Sequence, residues 1–257
     1  MNQEVIDTAD TENKTDSMVI QISNLNISFG ENHVLRNFSF ELPEGQCYAV
    51  LGKSGSGKSV LIKCIIGLLK PDSGDIRVFN KSITNIKNEE LDKIRLDTGF
   101  LFQSNALYDS MTVRENLEFP LRRHGLKVTK SEVDKLVKEV LEHVRLPDTE
   151  NMMPAELSGG MKKRIALART LILKPKIILY DEPTTGLDPI TGKEISKLIV
   201  ELQKKYNTSS IIISHDLNCI KLVADKIVML IDGTCYAIGT LEELKKSDDV
   251  KIKPFFE

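Results

Sequence analysis

The run Gly52-Lys53-Ser54-Gly55-Ser56-Gly57-Lys58-Ser59 carries the clearest chemistry in the sequence. Its spacing is G-x-x-x-x-G-K-[ST], the arrangement in which a glycine-rich turn wraps phosphate groups. Gly55 and Gly57 permit the left-handed backbone that points successive N–H groups at one spot. Lys58 then meets the β- and γ-phosphates of a nucleotide, and the Ser59 hydroxyl reaches a Mg²⁺ ion. The context agrees. Cys47 to Leu51 is an unbroken apolar run, as in a buried parallel strand. Val60 to Leu69 is apolar nearly all round, as in a core helix. Strand, turn and helix in that order aim a helix N-terminus at the anion. A chance match in a Gly/Ser-rich turn is the competing reading, and the rest of the chain decides between them.

Three further apolar runs end in polar chemistry: Thr98 to Phe102 into Gln103, Ile177 to Tyr180 into Asp181-Glu182-Pro183, and Ser210 to Ser214 into His215. A parallel sheet brings such ends to one edge, where ligands bind. Asp181 suits a carboxylate that holds Mg²⁺ together with Ser59. Glu182 suits a general base for an attacking water, an effect of about 10²–10⁴-fold. Neighbours on a strand point to opposite faces, so the strand must break there for both to serve one site, and Pro183 favours the break. The alternative is an exposed turn. Leu157-Ser158-Gly159-Gly160 opens a helix on free N–H groups and a hydroxyl, a second anion cradle. One nucleotide needs one cradle, so the second implies a site shared between two copies.

The elements that must position these groups read as follows. Val19 to Phe29 and Val34 to Leu42 are strands around a Gly30-Glu31-Asn32 turn, and Phe38, Phe40 and Leu42 alternate with polar residues as in an antiparallel sheet. Asp75 to Phe79 adds a strand. Thr112 with Glu115 and Thr129 with Glu132 are capping boxes. They open a helix over Val113 to Arg123, which Pro120 is expected to kink or end, and an amphipathic helix carrying Val133, Leu136, Val137, Val140, Leu141 and Val144. A helix runs from the Ser-Gly-Gly to Leu173 and another from Ile190 to Tyr206. Lys226 to Ile231 and Thr234 to Ile238 form a hairpin around Asp232-Gly233, and Thr240 with Glu243 caps a short last helix. The expected organisation is a polar, acidic, disordered tail over 1–17, one domain over 18–246 with a helical subdomain over about 104–172, and a short tail over 247–257. The first tail either solvates or binds something. The fold class is α/β: a parallel-sheet core, an antiparallel β layer and a helical subdomain.

A net charge of −2 argues against a nucleic-acid binder working by bulk charge, and with 5% aromatics and no Trp, base stacking on many rings is also disfavoured. Cys47, Cys64, Cys219 and Cys235 form no C-x-x-C pair and do not cluster with His33, His124, His143 or His215, so free thiols are expected rather than a zinc site. No apolar run reaches the ~18–20 residues of a membrane span, and no secretory pattern opens the chain. Membrane association is therefore expected through a partner.

Over about Val19 to Leu244 the sequence resembles an ATP-binding cassette (ABC) ATPase, a P-loop NTPase. Walker A is Gly52–Ser59, the Q-loop glutamine Gln103, the signature Leu157–Met161, Walker B Ile177–Asp181, the D-loop Gly186-Leu187-Asp188 and the switch histidine His215. The resemblance implies ATP and Mg²⁺ as cofactors and a head-to-tail dimer with two ATP molecules at its interface. It implies Glu182, His215, Gln103 and Lys58 as catalytic, with Ser59, Gln103 and Asp181 around the metal. Nucleotide contacts are implied for Gly52 to Ser59, for Val60, and for Ser158, Gly159 and Gly160 from the second copy. Phe29 stands where the family stacks an aromatic on adenine; a core strand residue is the equal alternative. Met161, and the run Leu101 to Thr112 followed by Glu115-Asn116-Leu117 and Phe119-Pro120-Leu121, resemble the ATPase of Mla-type phospholipid transporters. That resemblance implies an integral membrane permease, lipid-binding accessory subunits, no nucleic acid, and a place on the cytoplasmic face of the membrane. Residues about 104–125 would receive the permease, with Leu107 and Tyr108 as contacts or as plain packing. The rival readings are a regulator of a membrane complex that moves no substrate, and a non-transport ABC ATPase acting on DNA or the ribosome. The latter would carry a coiled-coil insertion or tandem cassettes, neither of which this sequence has.

Overall fold

Each of the five residues from Cys47 to Leu51 is buried, and the two sides of that strand face different apolar layers. Cys47, Ala49 and Leu51 enter one core cluster, and Tyr48 and Val50 the other. The sheet containing this strand is therefore sandwiched, which is why its strands read as continuous apolar runs rather than alternating ones.

The computed structural model describes residues 17–257; the tail expected over 1–17 lies, up to Asp16, outside the described residues. In chain order, β1 (Met18–Phe29) and β2 (Asn32–Pro43) form a hairpin, and β3 (Cys47–Leu51) runs into α1 (Lys58–Ile65). Then come β4 (Ser73–Val78), β5 (Lys81–Ser82), α2 (Asn88–Leu96) and β6 (Thr98–Leu101). Three helices follow: α3 (Val113–Arg123), α4 (Lys130–His143) and α5 (Gly159–Leu171). The chain continues through β7 (Ile177–Asp181), α6 (Pro189–Tyr206), β8 (Ser209–Ile213) and α7 (Leu217–Val223), and closes with β9 (Lys226–Ile231), β10 (Thr234–Gly239) and α8 (Leu241–Lys245).

One sheet has the order β2-β1-β4-β5 and is antiparallel; the other has the order β10-β9-β3-β8-β7-β6, in which β9, β3, β8, β7 and β6 run parallel. The antiparallel sheet packs with α1 and α2 on one face of the parallel sheet, and α3 to α7 cover the other. The expected parallel core with an antiparallel layer is present.

Both sequence-identified capping boxes close at the main chain: Thr112 accepts from Glu115 N, and Thr129 from Glu132 N. Pro120 does not end α3, which continues to Arg123. Leu117 and Leu121 are buried on either side of it, and that packing outweighs one missing hydrogen bond. The helix after the phosphate loop is shorter than its apolar run, because Gly67 turns the chain at φ 67 and Leu68 is exposed. Residues 247–257 do not trail away. Ile252 is buried, and Phe255 and Phe256 pack on the main core, an i, i+3, i+4 set that docks the segment.

Asn116 is fully buried and closes the loop before α3. Its Oδ1 accepts from Tyr108 N at 2.8 Å, and its Nδ2 donates to the main-chain oxygens of Tyr108, Met111 and Thr112 at 3.1, 3.1 and 3.0 Å. Replacing Asn116 with Leu orphans the Tyr108 amide and the Met111 carbonyl, while the Tyr108 and Thr112 carbonyls keep the main-chain N–H groups of Met111 and residue 116. The unfolding free energy should therefore fall by about 2 kcal/mol in chemical denaturation.

Candidate active site

The loop between β3 and α1 closes on its own lysine. Lys58 Nζ donates to the main-chain oxygens of Gly52 and Lys53, each at 2.9 Å. Burial lowers the ammonium's pKa, against the pull of the Glu182 and Asp181 carboxylates. A cation placed so is short of anionic partners and ready to exchange two carbonyls for phosphate oxygens. Gly57 caps α1 at φ 103, and a Cβ there would lie 2.7 Å from Val34 Cγ1. A Cβ on Gly52 would lie 2.6 Å from the Leu230 main-chain oxygen. Both positions need glycine, one for conformation as well as space.

Ser59 Oγ donates to Asp181 Oδ1 at 3.3 Å, bringing the first turn of α1 to the end of β7. Burial raises the Asp181 pKa, partly countered by the Ser59 hydrogen bond, and Glu182 adds to the rise. A hydroxyl and a carboxylate are hard oxygen donors of the kind that hold Mg²⁺ when phosphates supply further ligands. The residues present fit that ion.

Glu182 sits immediately after β7 at φ 51. The strand breaks there, as serving one site from two successive acids requires, and the left-handed residue costs about 1–3 kcal/mol that the surroundings must sustain. The Glu182 main-chain N–H donates to Ile213 O at 2.9 Å. Its carboxylate receives Thr185 Oγ1 at 3.0 Å and lies 2.9 Å from His215 Nδ1. Gln103 follows β6 at the same edge, and its main-chain oxygen accepts from Lys163 Nζ at 3.0 Å. Lys58, Ser59, Asp181, Glu182 and His215 are thus joined by direct contacts or mutual charge effects, and Gln103 lies beside them at the end of the neighbouring strand.

Lys53 to Ser56 line a cavity of about 740 Å³ with Asn32, His33 and residues 230–233 on its walls. Val250, Lys251, Pro254 and Phe255 also line it, contributions that sequence reasoning missed because it treated 247–257 as a tail. Phe29, at the hairpin end, is 51% exposed, which removes the core-residue alternative; its ring is not among the groups lining this cavity. Ser158, Gly159 and Gly160 stand elsewhere. Ser158 caps α5 by accepting from Met161 N at 3.2 Å, and together they line a separate cavity of about 540 Å³ with Gly186 to Asp188. No lining residue is common to the two cavities.

The family model described as ABC transporter matches residues 35–185. A probable ribonucleotide transport ATP-binding protein, mkl of Mycobacterium leprae, is 38% identical over 238 residues, covering 93% of this chain and 68% of that protein. The chain belongs to the ABC transporter family. The intermembrane phospholipid transport system ATP-binding protein MlaF of Haemophilus influenzae is 36% identical over 239 residues, 93% of this chain and 90% of that one. The ATP-binding cassette MJ0796, solved as a dimer in a post-hydrolysis state bound to ADP and Pi, superposes with a TM-score of 0.78 at 33% identity, covering 86% of this chain and 98% of that one. This ABC protein is an ATP hydrolase with ATP and Mg²⁺ as its cofactors, built on the α/β cassette fold.

Gly57→Ala should keep the cassette's far-UV circular dichroism yet weaken nucleotide binding about tenfold or more, since a φ of 103 and the Val34 overlap both distort the loop. Titration with a fluorescent ATP analogue checks this.

Proposed function

We propose that this chain is the ATP-driven motor of a membrane lipid transporter and works as a head-to-tail pair. The observation that carries the pairing is the separation of the two anion cradles into cavities with no residue in common. In one copy the signature has no nucleotide to hold. Opposed to the phosphate loop of a second copy, Ser158 and Gly160 complete an ATP site on its open side, with helix N-terminal N–H groups facing the γ-phosphate.

Within each site the residues divide the work. Main-chain N–H groups of residues 52–59 and the Lys58 ammonium hold the β- and γ-phosphates, with Val60 in the first helical turn and Phe29 available to stack on the base. Mg²⁺ held at Ser59 and Asp181, with Gln103 nearby, supplies charge neutralisation on the phosphates. Glu182 orients and deprotonates the attacking water. His215, 2.9 Å from that carboxylate, holds it in place and reaches toward the γ-phosphate.

The cargo reading rests on the likeness to MlaF together with Met161 and the run Leu101 to Thr112; mkl carries the name of a ribonucleotide transporter, so cargo is the finer part of the proposal. No helix among the described residues is long and apolar enough to cross a membrane. Transport therefore requires an integral membrane permease, with lipid-binding accessory subunits beyond it and this chain on the cytoplasmic face. The permease contact falls on residues 104–125. There Tyr108 is 43% exposed, with its ring 4.7 Å from that of Phe119, whereas Leu107 packs on the core. Tyr108 is the better candidate of the two.

Three outcomes test this. Glu182→Gln should bind ATP, turn over at least about 100-fold more slowly and accumulate as dimers on size exclusion. Ser158→Arg and Lys58→Ala chains, each inactive alone, should regain ATPase on mixing, because a mixed pair contains one intact composite site; independent monomers would regain none. Mass spectrometry of the complex purified with its permease should find bound phospholipid; a complex carrying nucleotide or amino-acid cargo instead would refute the lipid reading and leave the motor intact.

A further inference from the structure

Lysine is among the side chains least at ease inside a protein, because a few hydrogen bonds replace the hydration of its ammonium only in part. Lys163 of α5 is 1% exposed. Its Nζ donates to the main-chain oxygen of Gln103 at 3.0 Å. Burial brings its pKa down to about 8, against the pull of the Asp181 carboxylate. An apolar side chain of similar volume in such a place is often neutral or stabilising, so packing alone gives no reason for a lysine.

The rest of α5 grips the same stretch. Arg169 donates to Ala106 O at 2.6 Å and to Asn105 O at 2.9 Å. Helix and strand are close enough that a Cβ on Gly99 would lie 2.6 Å from Thr170 Cγ2. The stretch needs support. Asn105 and Ala106 take φ values of 64 and 50, and Asn105 Oδ1 is buried with no partner. Two adjacent non-glycine residues in the left-handed region persist only where their surroundings over-determine them.

We propose that Lys163 is a positioning residue for ATP hydrolysis, whose ammonium ties the main chain of Gln103 to the helix that opens on Ser158. The Gln103 end of the chain's own ATP site and the signature it offers to a second copy are thereby held as one body. The proposal rests on the reading of Gln103 as part of the ATP site; the link to a second copy rests in addition on the reading of Ser158 to Gly160.

Steady-state ATPase kinetics and thermal melts of the full chain test it, with Lys163→Met, Lys163→Gln, Lys163→Arg and Gln103→Ala. Lys163→Met should lower kcat about tenfold while KM for ATP changes less than about twofold, because the nucleotide contacts stay and only the geometry of turnover is lost. Its melting temperature should equal or exceed that of the wild type, as expected for a buried charge replaced by a side chain of like volume. Lys163→Arg, which keeps a cationic donor, should recover most of kcat, and Lys163→Gln, a neutral donor, should fall between. Wild-type kcat in the methionine variant overturns the proposal, as does a loss that arginine fails to rescue or one matched by a drop in melting temperature in both the Met and Gln variants. Gln103→Ala separates the two layers. If it loses turnover while Lys163→Met does not, the reading of Gln103 stands and the tether falls. If Gln103→Ala keeps wild-type turnover, both fall.

Discussion

Parallel pairing of β3, β8 and β7 in one register sets where every reacting group can be. Val50 and Asp181 both pair with Ile213, so the end of the strand feeding the phosphate loop and the last residue of β7 lie in one row across the sheet. A strand that is apolar on both faces reads much the same after a shift, so its middle cannot define that row. Its ends do. Gly45 N donates to Ser209 Oγ at 2.8 Å and Cys47 N to Asp225 Oδ2 at 2.7 Å, pinning β3 at its start. At the other end a slip of β7 would carry Asp181 into the core, where an unpaired carboxylate costs several kcal/mol. Polar groups at the strand ends thus fix the register, and the register delivers Asp181 to Ser59.

The same edge concentrates charge. Lys58 is pulled toward its charged form by Asp181 and Glu182 and away from it by burial, while burial pushes the neighbouring acid, Asp181, toward its neutral form. Two adjacent carboxylates with one desolvated ammonium form an arrangement that a phosphate bearing a divalent cation completes from both sides: anion to Lys58, cation to Asp181. The left-handed Glu182 is the conformational counterpart, since it turns the second acid out of the strand's alternation and against His215. Strain and desolvation fall on the same few residues, as in a site organised around a charged ligand.

Much of this was legible in the sequence because it depends on short-range chemistry. A Thr three residues before a Glu closes a capping box where a helix starts between them, and both boxes before α3 and α4 formed. Apolar runs ending in Gln103, Asp181 and Ser214-His215 became strand ends at one edge for the reason given by parallel topology. What escaped notice lacked a local signal. Helix α2 follows Lys87, whose side chain makes no capping bond, and it buries only Leu91 and Ile94. Helix α7 opens at Asp216, which caps Asn218 N, but follows a histidine that drew attention to chemistry instead. Asn116 and Lys163 look like ordinary polar positions on amphipathic helices. Their partners, at Tyr108 and Gln103, belong to loop backbone whose path no pattern of residue types specifies. The docking of Ile252, Phe255 and Phe256 had a helical spacing in plain view, but too few residues to stand out from a short tail.

Two connections within one chain decide how a composite site can respond to its nucleotide. On one side, the turn after β7 carries Glu182 and, through the Thr185 hydroxyl on its carboxylate, leads directly to Gly186–Asp188 beside the signature. Asp188 then caps α6 by accepting from Ile190 N and Thr191 N at 3.1 and 3.0 Å, and a Cβ on Gly160 would lie 2.8 Å from Thr191 Cγ2. On the other side, α5 grips the segment after β6 through Lys163 and Arg169. The signature is therefore held between two parts of its own chain: it shares a cavity with the turn that follows Glu182, and α5 ties it to the main chain of Gln103 after β6. If the signature serves the partner's ATP, neither half of a pair can adjust its own site without shifting the surface it offers to the other. Packed interfaces of that kind move between discrete arrangements rather than deforming gradually. Closing on two nucleotides and opening after hydrolysis are then collective steps.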